Sequence, residues 1–124
     1  MYIIRLVNAY AAVMALMDQE LPYKDAYKVA ALKRALQPHA EFFSKKEMEL
    51  VSRYADKTEK GVAWTGPGRF RLLPGAEAEY RAKRMELCAV EVEDEIPEIE
   101  ISMPEKIRPV HVEALEGFVR FREE

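Results

Sequence analysis

The chain has 124 residues, 49% of them apolar and 33% charged, with a net charge of −3. That balance describes one folded domain rather than a disordered chain, and no apolar run approaches the roughly 20 residues that a membrane span needs. The single cysteine, Cys88, excludes an internal disulfide and fits the cytoplasm.

The small net charge hides an asymmetry. Residues 1–85 hold 15 Lys/Arg and 10 Asp/Glu, whereas residues 86–124 hold 4 and 12. Residues 86–105 alone carry eight acids and no base. Such a division bears on partners and solubility, not on fold.

The first element is a helix. Ile3, Val7, Tyr10, Met14, Met17 and Leu21 recur at alternating spacings of four and three, the pattern of a coiled-coil seam. Leu6, Val13 and Leu16 widen the stripe, so the helix is expected to touch more than one neighbour. Arg5 and Asn8 interrupt its apolar part and Asp18 and Glu20 follow, which argues against a secretion signal. A second helix is expected from about Pro22 to Asp56, with Val29, Leu32, Leu36, Ala40, Phe43, Leu50 and Tyr54 inward. Pro38 removes a backbone donor in its middle, so a kink or a split near Gln37 is expected. The short connection at Leu21 makes the two helices antiparallel neighbours.

A polar turn, "TEKG", follows. Val62 and Trp64 then alternate with small residues, "TGPG" supplies turn chemistry, and Phe70 and Leu72 alternate with Arg69 and Arg71. The spacing predicts a β-hairpin of Val62–Thr65 with Arg69–Leu73. A third helix is predicted from Ala76 to Ala89, with Tyr80, the Arg84 stem, Leu87 and Cys88 inward.

The stretch "AVEVEDEIPEIEIS", Ala89 to Ser102, mixes six acids with strand-favouring Val and Ile. Val90 and Val92 keep one phase, and Ile99, Ile101 and Met103 keep the other. Pro97 cannot donate to a ladder, so an irregular passage precedes a strand from Glu98 to Met103. The apolar residues read as core. The acids are either neutralised by the basic region from Arg69 to Arg84 or turned outward. "RPVHVEALEG" predicts a short helix with Pro109 at its start and Gly117 past its end, and "FVRF" predicts a last strand.

Catalytic constellations are sparse. The chain has no H-E-x-x-H, C-x-x-C or C-x-x-H spacing, so neither a zinc site nor any other cofactor is expected. An enzyme would need Cys88 beside His39 or His111. "TGPGRF" lacks the Lys-Ser/Thr pair and following helix of a phosphate loop. Trp64, Arg69, Phe70 and Arg71 form a hairpin patch of the type that stacks bases. The adjacent acidic block would repel phosphates, which argues against direct nucleic-acid binding.

The order of these features is the basis of a resemblance. "RLVNAY" opens the first helix, "ELPYKDAYK" starts the second, "ALQPHAEFFSKKEMELVSRYADK" ends it, and "ELCAVEVEDEIPEIEI" precedes "IRPVHVEALEGF". This arrangement resembles a group of small uncharacterised proteins of tailed phages and prophages of Gram-positive bacteria. "TGPGRF" and Pro38 depart from that pattern. The resemblance implies a phage origin and the host cytoplasm or a virion as location. It carries no activity, so no residue role is transferred.

The expected fold is α+β: an antiparallel helical hairpin (1–57), a β-hairpin (58–75), and a third helix with small C-terminal strands (76–124), in one domain. The expected function is non-enzymatic protein binding. Glu91, Glu93, Asp94, Glu95, Glu98 and Glu100 would present negative charge to a host nucleic-acid-handling or defence protein. The alternative is a virion assembly component or chaperone, a homo-oligomer joined through the heptad-like helix faces.

Overall fold

Two helices make the frame. In the computed structural model, which describes residues 1–58, 61–62, 64–67 and 69–122, α1 (Ile3–Met17) lies against α2 (Tyr23–Tyr54). Pro22 is the N-cap residue of α2 rather than its first helical residue, and its carbonyl accepts the first helical bond from the Ala26 N–H at 2.8 Å.

The buried face of α1 is not the expected seam. Ile3, Leu6, Ala9, Ala12, Val13 and Leu16 are buried, while Met14 and Met17 are exposed and Val7 and Tyr10 half-buried. The stripe through Leu6, Ala9, Val13 and Leu16 competes with the Met-bearing one, and two buried alanines sit on it. Small side chains let a neighbouring backbone approach, while methionine tolerates a partly wet position. The wide stripe does meet several neighbours, for α1 also contacts the third and fourth helices.

α2 follows its pattern more closely. Val29, Leu32, Leu36, Phe43 and Tyr54 are buried as expected, Val51 joins them, and Ala40 and Leu50 are half-buried. Of the kink or split expected near Gln37, the split does not occur: one helix runs through Pro38. Pro38 is on the exposed side, where water can solvate the carbonyl that loses its partner.

The segment after α2 folds back in short antiparallel pairs. β1 (Lys57–Thr58) pairs with β2 (Gly61–Val62), and β3 (Trp64–Gly66) with β4 (Arg69–Phe70). The hairpin is therefore shorter than expected: Val62 belongs to the preceding turn of strand, and Leu72 only bridges Ala55. Glu59 and Lys60 of the "TEKG" turn, and Ala63 and Gly68 of the hairpin, lie outside the described residues. Gly61 has φ +104° with open space around it, so the turn requires glycine for its backbone angle, not for room.

α3 (Glu77–Cys88) buries Leu87 and half-buries Tyr80, Arg84 and Cys88. The chain then runs extended to β5 (Ile99–Ser102). α4 (Pro109–Ala114) carries it over to β6 (Val119–Arg122), which pairs parallel to β5 in the register Ile99↔Val119 and Ile101↔Phe121. A parallel pair needs such a crossover. Gly117, at φ +87°, turns the chain out of the helix, as the sequence predicts. Among the described residues no helix is long and apolar enough to cross a membrane.

Ile101, Leu115, Phe118 and Val119 join Leu6, Val13, Leu16, Val29, Leu32 and Leu36 in one core. Phe118 is 1% exposed, and the Arg5 guanidinium lies 5.8 Å from its ring centre. Phe118→Ala is expected to lower stability by about 3–5 kcal/mol, seen as a lower urea midpoint.

The outer edge of β5 is closed by side chains of α2. Lys28 Nζ donates to the Glu100 carbonyl at 2.9 Å, and Asp25 Oδ2 accepts from the Ser102 N–H at 3.0 Å. Asp25 is 2% exposed, and its other oxygen accepts from Arg122 Nη2 at 3.1 Å. Arg122 also donates to Ser102 Oγ at 3.2 Å. One buried carboxylate thus ties the start of α2 to both C-terminal strands.

Candidate acidic interaction surface

The acidic segment begins where α3 ends, and it closes the start of α1. The Ile3 N–H donates to the Val90 carbonyl at 2.8 Å, and the Val92 N–H donates to the Met1 carbonyl at 2.8 Å. A helix leaves its first N–H groups without internal partners, so this contact supplies one of them. Beyond it the chain is extended and irregular as far as Glu98, in agreement with the expected break around Pro97.

Apolar side chains hold this segment down. Val92, Ile96 and Ile99 pack against the core, and Ile101 is fully buried. Val90 departs from the expectation of a core position and is exposed, because its backbone rather than its side chain faces α1. All six acids, Glu91, Glu93, Asp94, Glu95, Glu98 and Glu100, are exposed.

Among the described residues, three of the six contact a basic side chain or the terminal amino group. Glu91 lies 3.7 Å from the amino group of Met1, Asp94 lies 3.0 Å from His39 Nε2, and Glu98 is 2.9 Å from Arg120. Glu93, Glu95 and Glu100 form no ion pair among the described residues. Among the described residues, the contacts to these acids come from the N-terminus, α2 and β6, and none from the basic region between Arg69 and Arg84.

That basic region is organised differently. Trp64 and Phe70 are cross-strand partners with ring centres 6.0 Å apart, Phe70 meets Tyr80 at 5.7 Å, and Tyr80 meets Tyr54 at 6.2 Å. Each contact is edge to face, the favourable geometry for ring quadrupoles. The row leads from the half-exposed Trp64 to the buried Tyr54, whose hydroxyl donates to Glu79 at 3.0 Å. Alternation along β4 puts Arg69 on the face opposite Phe70, and Arg71 follows just past the strand. Both are exposed and form no ion pair among the described residues. Phe70 and Arg69 of the hairpin patch thus occupy different faces of β4.

Arg84 is committed elsewhere. It donates to Glu47 at 2.9 Å and to Cys88 Sγ at 3.4 Å, and its guanidinium lies 5.9 Å from the centre of the Phe43 ring. Partial burial works against its charge, but Cys88, Glu47 and Tyr80 outweigh that and hold its pKa above the ordinary value. The structure brings neither histidine to Cys88: His39 faces Asp94, and His111 lines a groove between α1 and α4 with Arg5 and Asn8.

Sequence reasoning missed Asp25 and the arginines of β6. An acid in the first turn of a helix is ordinary, so nothing local marks Asp25 as buried. Its burial comes from strands that lie far along the chain. Comparison with protein-family models, curated proteins and solved structures gives no match.

Proposed function

We propose that this chain is a non-enzymatic binding protein, an accessory protein of phage or prophage origin, that meets a basic protein surface through the segment from Glu91 to Glu100. The observation that supports this reading is the division of labour within the segment. Val92, Ile96 and Ile99 anchor it, while Glu93, Glu95 and Glu100 are exposed and have no ion-pair partner among the described residues. A firmly held row of acids costs little ordering on binding and speeds encounter with a cationic patch. The partner class is a host nucleic-acid-handling or defence protein, whose phosphate-binding surface such a row would cover.

The test uses the triple variant Glu93→Lys/Glu95→Lys/Glu100→Lys. Exposed substitutions of this kind change folding stability by only about 0.5 kcal/mol each, whereas like charges across an interface cost several kcal/mol. Capture of host proteins from lysate is expected to weaken about tenfold or more, and wild-type capture to fall as salt rises. Equal capture by the variant would reject the acidic segment as the binding surface.

A second reading is self-association in assembly. It is favoured by the exposure of Met14 and Met17 on α1, together with Met85 on α3. A stable oligomer in light scattering that is indifferent to salt would support it over the first.

A further inference from the structure

We infer that the outer edge of β6 accepts an extended peptide as a third strand, with an apolar residue seated beside Val112 and basic residues reaching Glu113 and Glu116. The phase of the ladder establishes the open edge. The Ile99 N–H donates to the Phe118 carbonyl at 2.9 Å, so that carbonyl and the backbone groups of Arg120 and Arg122 face β5. Val119 and Phe121 direct theirs outward. The Val119 N–H is taken by the Leu115 carbonyl at 2.9 Å. The N–H and C=O of Phe121 have no hydrogen-bond partner among the described residues.

The two edges of this sheet are treated differently. Lys28 and Asp25 close the β5 edge with side chains. Nothing among the described residues closes the β6 edge in that way, and an unpaired edge is a template for an added strand.

Beside the open edge lies a groove of about 520 Å³. Its apolar lining is Ile107, Pro109, Val112, Val119 and Phe121. Val119 and Phe121 continue the row of Ile99 and Ile101 across the core-facing side of the sheet. An inward side chain on a third strand would extend that row into the groove, the position of a cross-strand neighbour. Glu113 and Glu116 also line the groove, are exposed, and form no ion pair among the described residues. They favour Lys or Arg two positions from the seated residue, on the same face of the incoming strand.

A second copy of β6 fits this edge poorly. Antiparallel pairing centred on Phe121 would set Arg120 opposite Arg122, and like charges directly opposite are destabilising. The occupant is therefore a peptide of different sequence, apolar at its centre and basic to either side.

The test is titration of the full chain into the labelled peptide Thr-Lys-Thr-Val-Thr-Lys-Thr, read by fluorescence anisotropy. Amide exchange by NMR supplies a second readout. Saturable binding is expected, with slowed exchange at Phe121. Methylating the peptide amides that face β6 is expected to weaken binding about tenfold, because the ladder bonds are lost. Glu113→Lys/Glu116→Lys should weaken it by about fivefold or more, and Val112→Arg should block the groove. Glu93→Lys/Glu95→Lys should leave binding unchanged, which separates this site from the acidic segment. Absence of saturable binding, indifference to amide methylation, or loss only in the Glu93→Lys/Glu95→Lys variant would overturn the proposal. So would a concentration-dependent dimer that slows exchange at Phe121 without peptide, since a second copy would then hold the edge.

Discussion

Asp25→Ala is expected to destabilise the fold by about 3 kcal/mol, read as a lower urea midpoint with an unchanged slope. The carboxylate is 2% exposed and accepts from the Ser102 N–H and from Arg122. Removing it takes the Asp25 acceptor away from the backbone N–H at the end of β5. It also removes negative charge from the first turn of α2, where the helix dipole favours it. The Arg122 side chain keeps 40% exposure and can turn to water, which holds the loss below that of a fully buried pair. Asp25→Asn keeps an acceptor for Ser102 and should lose less. Removing Arg122 alone strands the charge of Asp25, so Arg122→Ala should also be costly, and the double variant should lose less than the two single losses added together. Additive losses would mean that the two groups act independently.

Pro38→Ala is expected to act in the opposite direction, raising stability by about 2 kcal/mol. Proline in a helix interior costs about 3 kcal/mol relative to alanine. Part of that is offset because proline restricts the unfolded chain. Pro38 is exposed within an unbroken helix, so alanine adds no clash and restores a donor for the Arg34 carbonyl. The measurement is the same urea midpoint. A fall instead of a rise would show that proline sets the direction of the second half of α2, where Phe43 and Val51 enter the core.

The α+β class, the antiparallel helices, the third helix and the C-terminal helix–strand order were legible because each rests on local signals. Apolar spacing marks the face of α2, and Pro109 and Gly117 punctuate α4. What was not legible depends on distant neighbours. The sequence offers two apolar stripes on α1, and packing of residues from α2 and the C-terminal unit selects the one with Ala9 and Ala12. The parallel sense of β5 and β6 could not be read from strands of four residues each. For the acidic segment, alternation identified Ile99 and Ile101 as inward and the acids as outward. It gave no sign that His39 and Arg120 would be the groups that contact these acids. Pro38 shows the converse: a strong local signal for a split is outweighed in a helix whose buried residues continue on both sides of it.

The first helix takes its partners from segments made much later in the chain. A ribosome extends a chain at about 5–20 residues per second. The interval between the emergence of Tyr54 and that of Arg122 therefore lasts roughly 3 to 14 seconds. Throughout it the two long helices can pair, but Leu6, Val13 and Leu16 lack Ile101, Leu115 and Phe118 to cover them. For that interval the inner face of the helical pair lacks the side chains that cover it in the fold. Burial is completed only when Phe118 and β6 dock, so this segment latches a helical pair made seconds earlier.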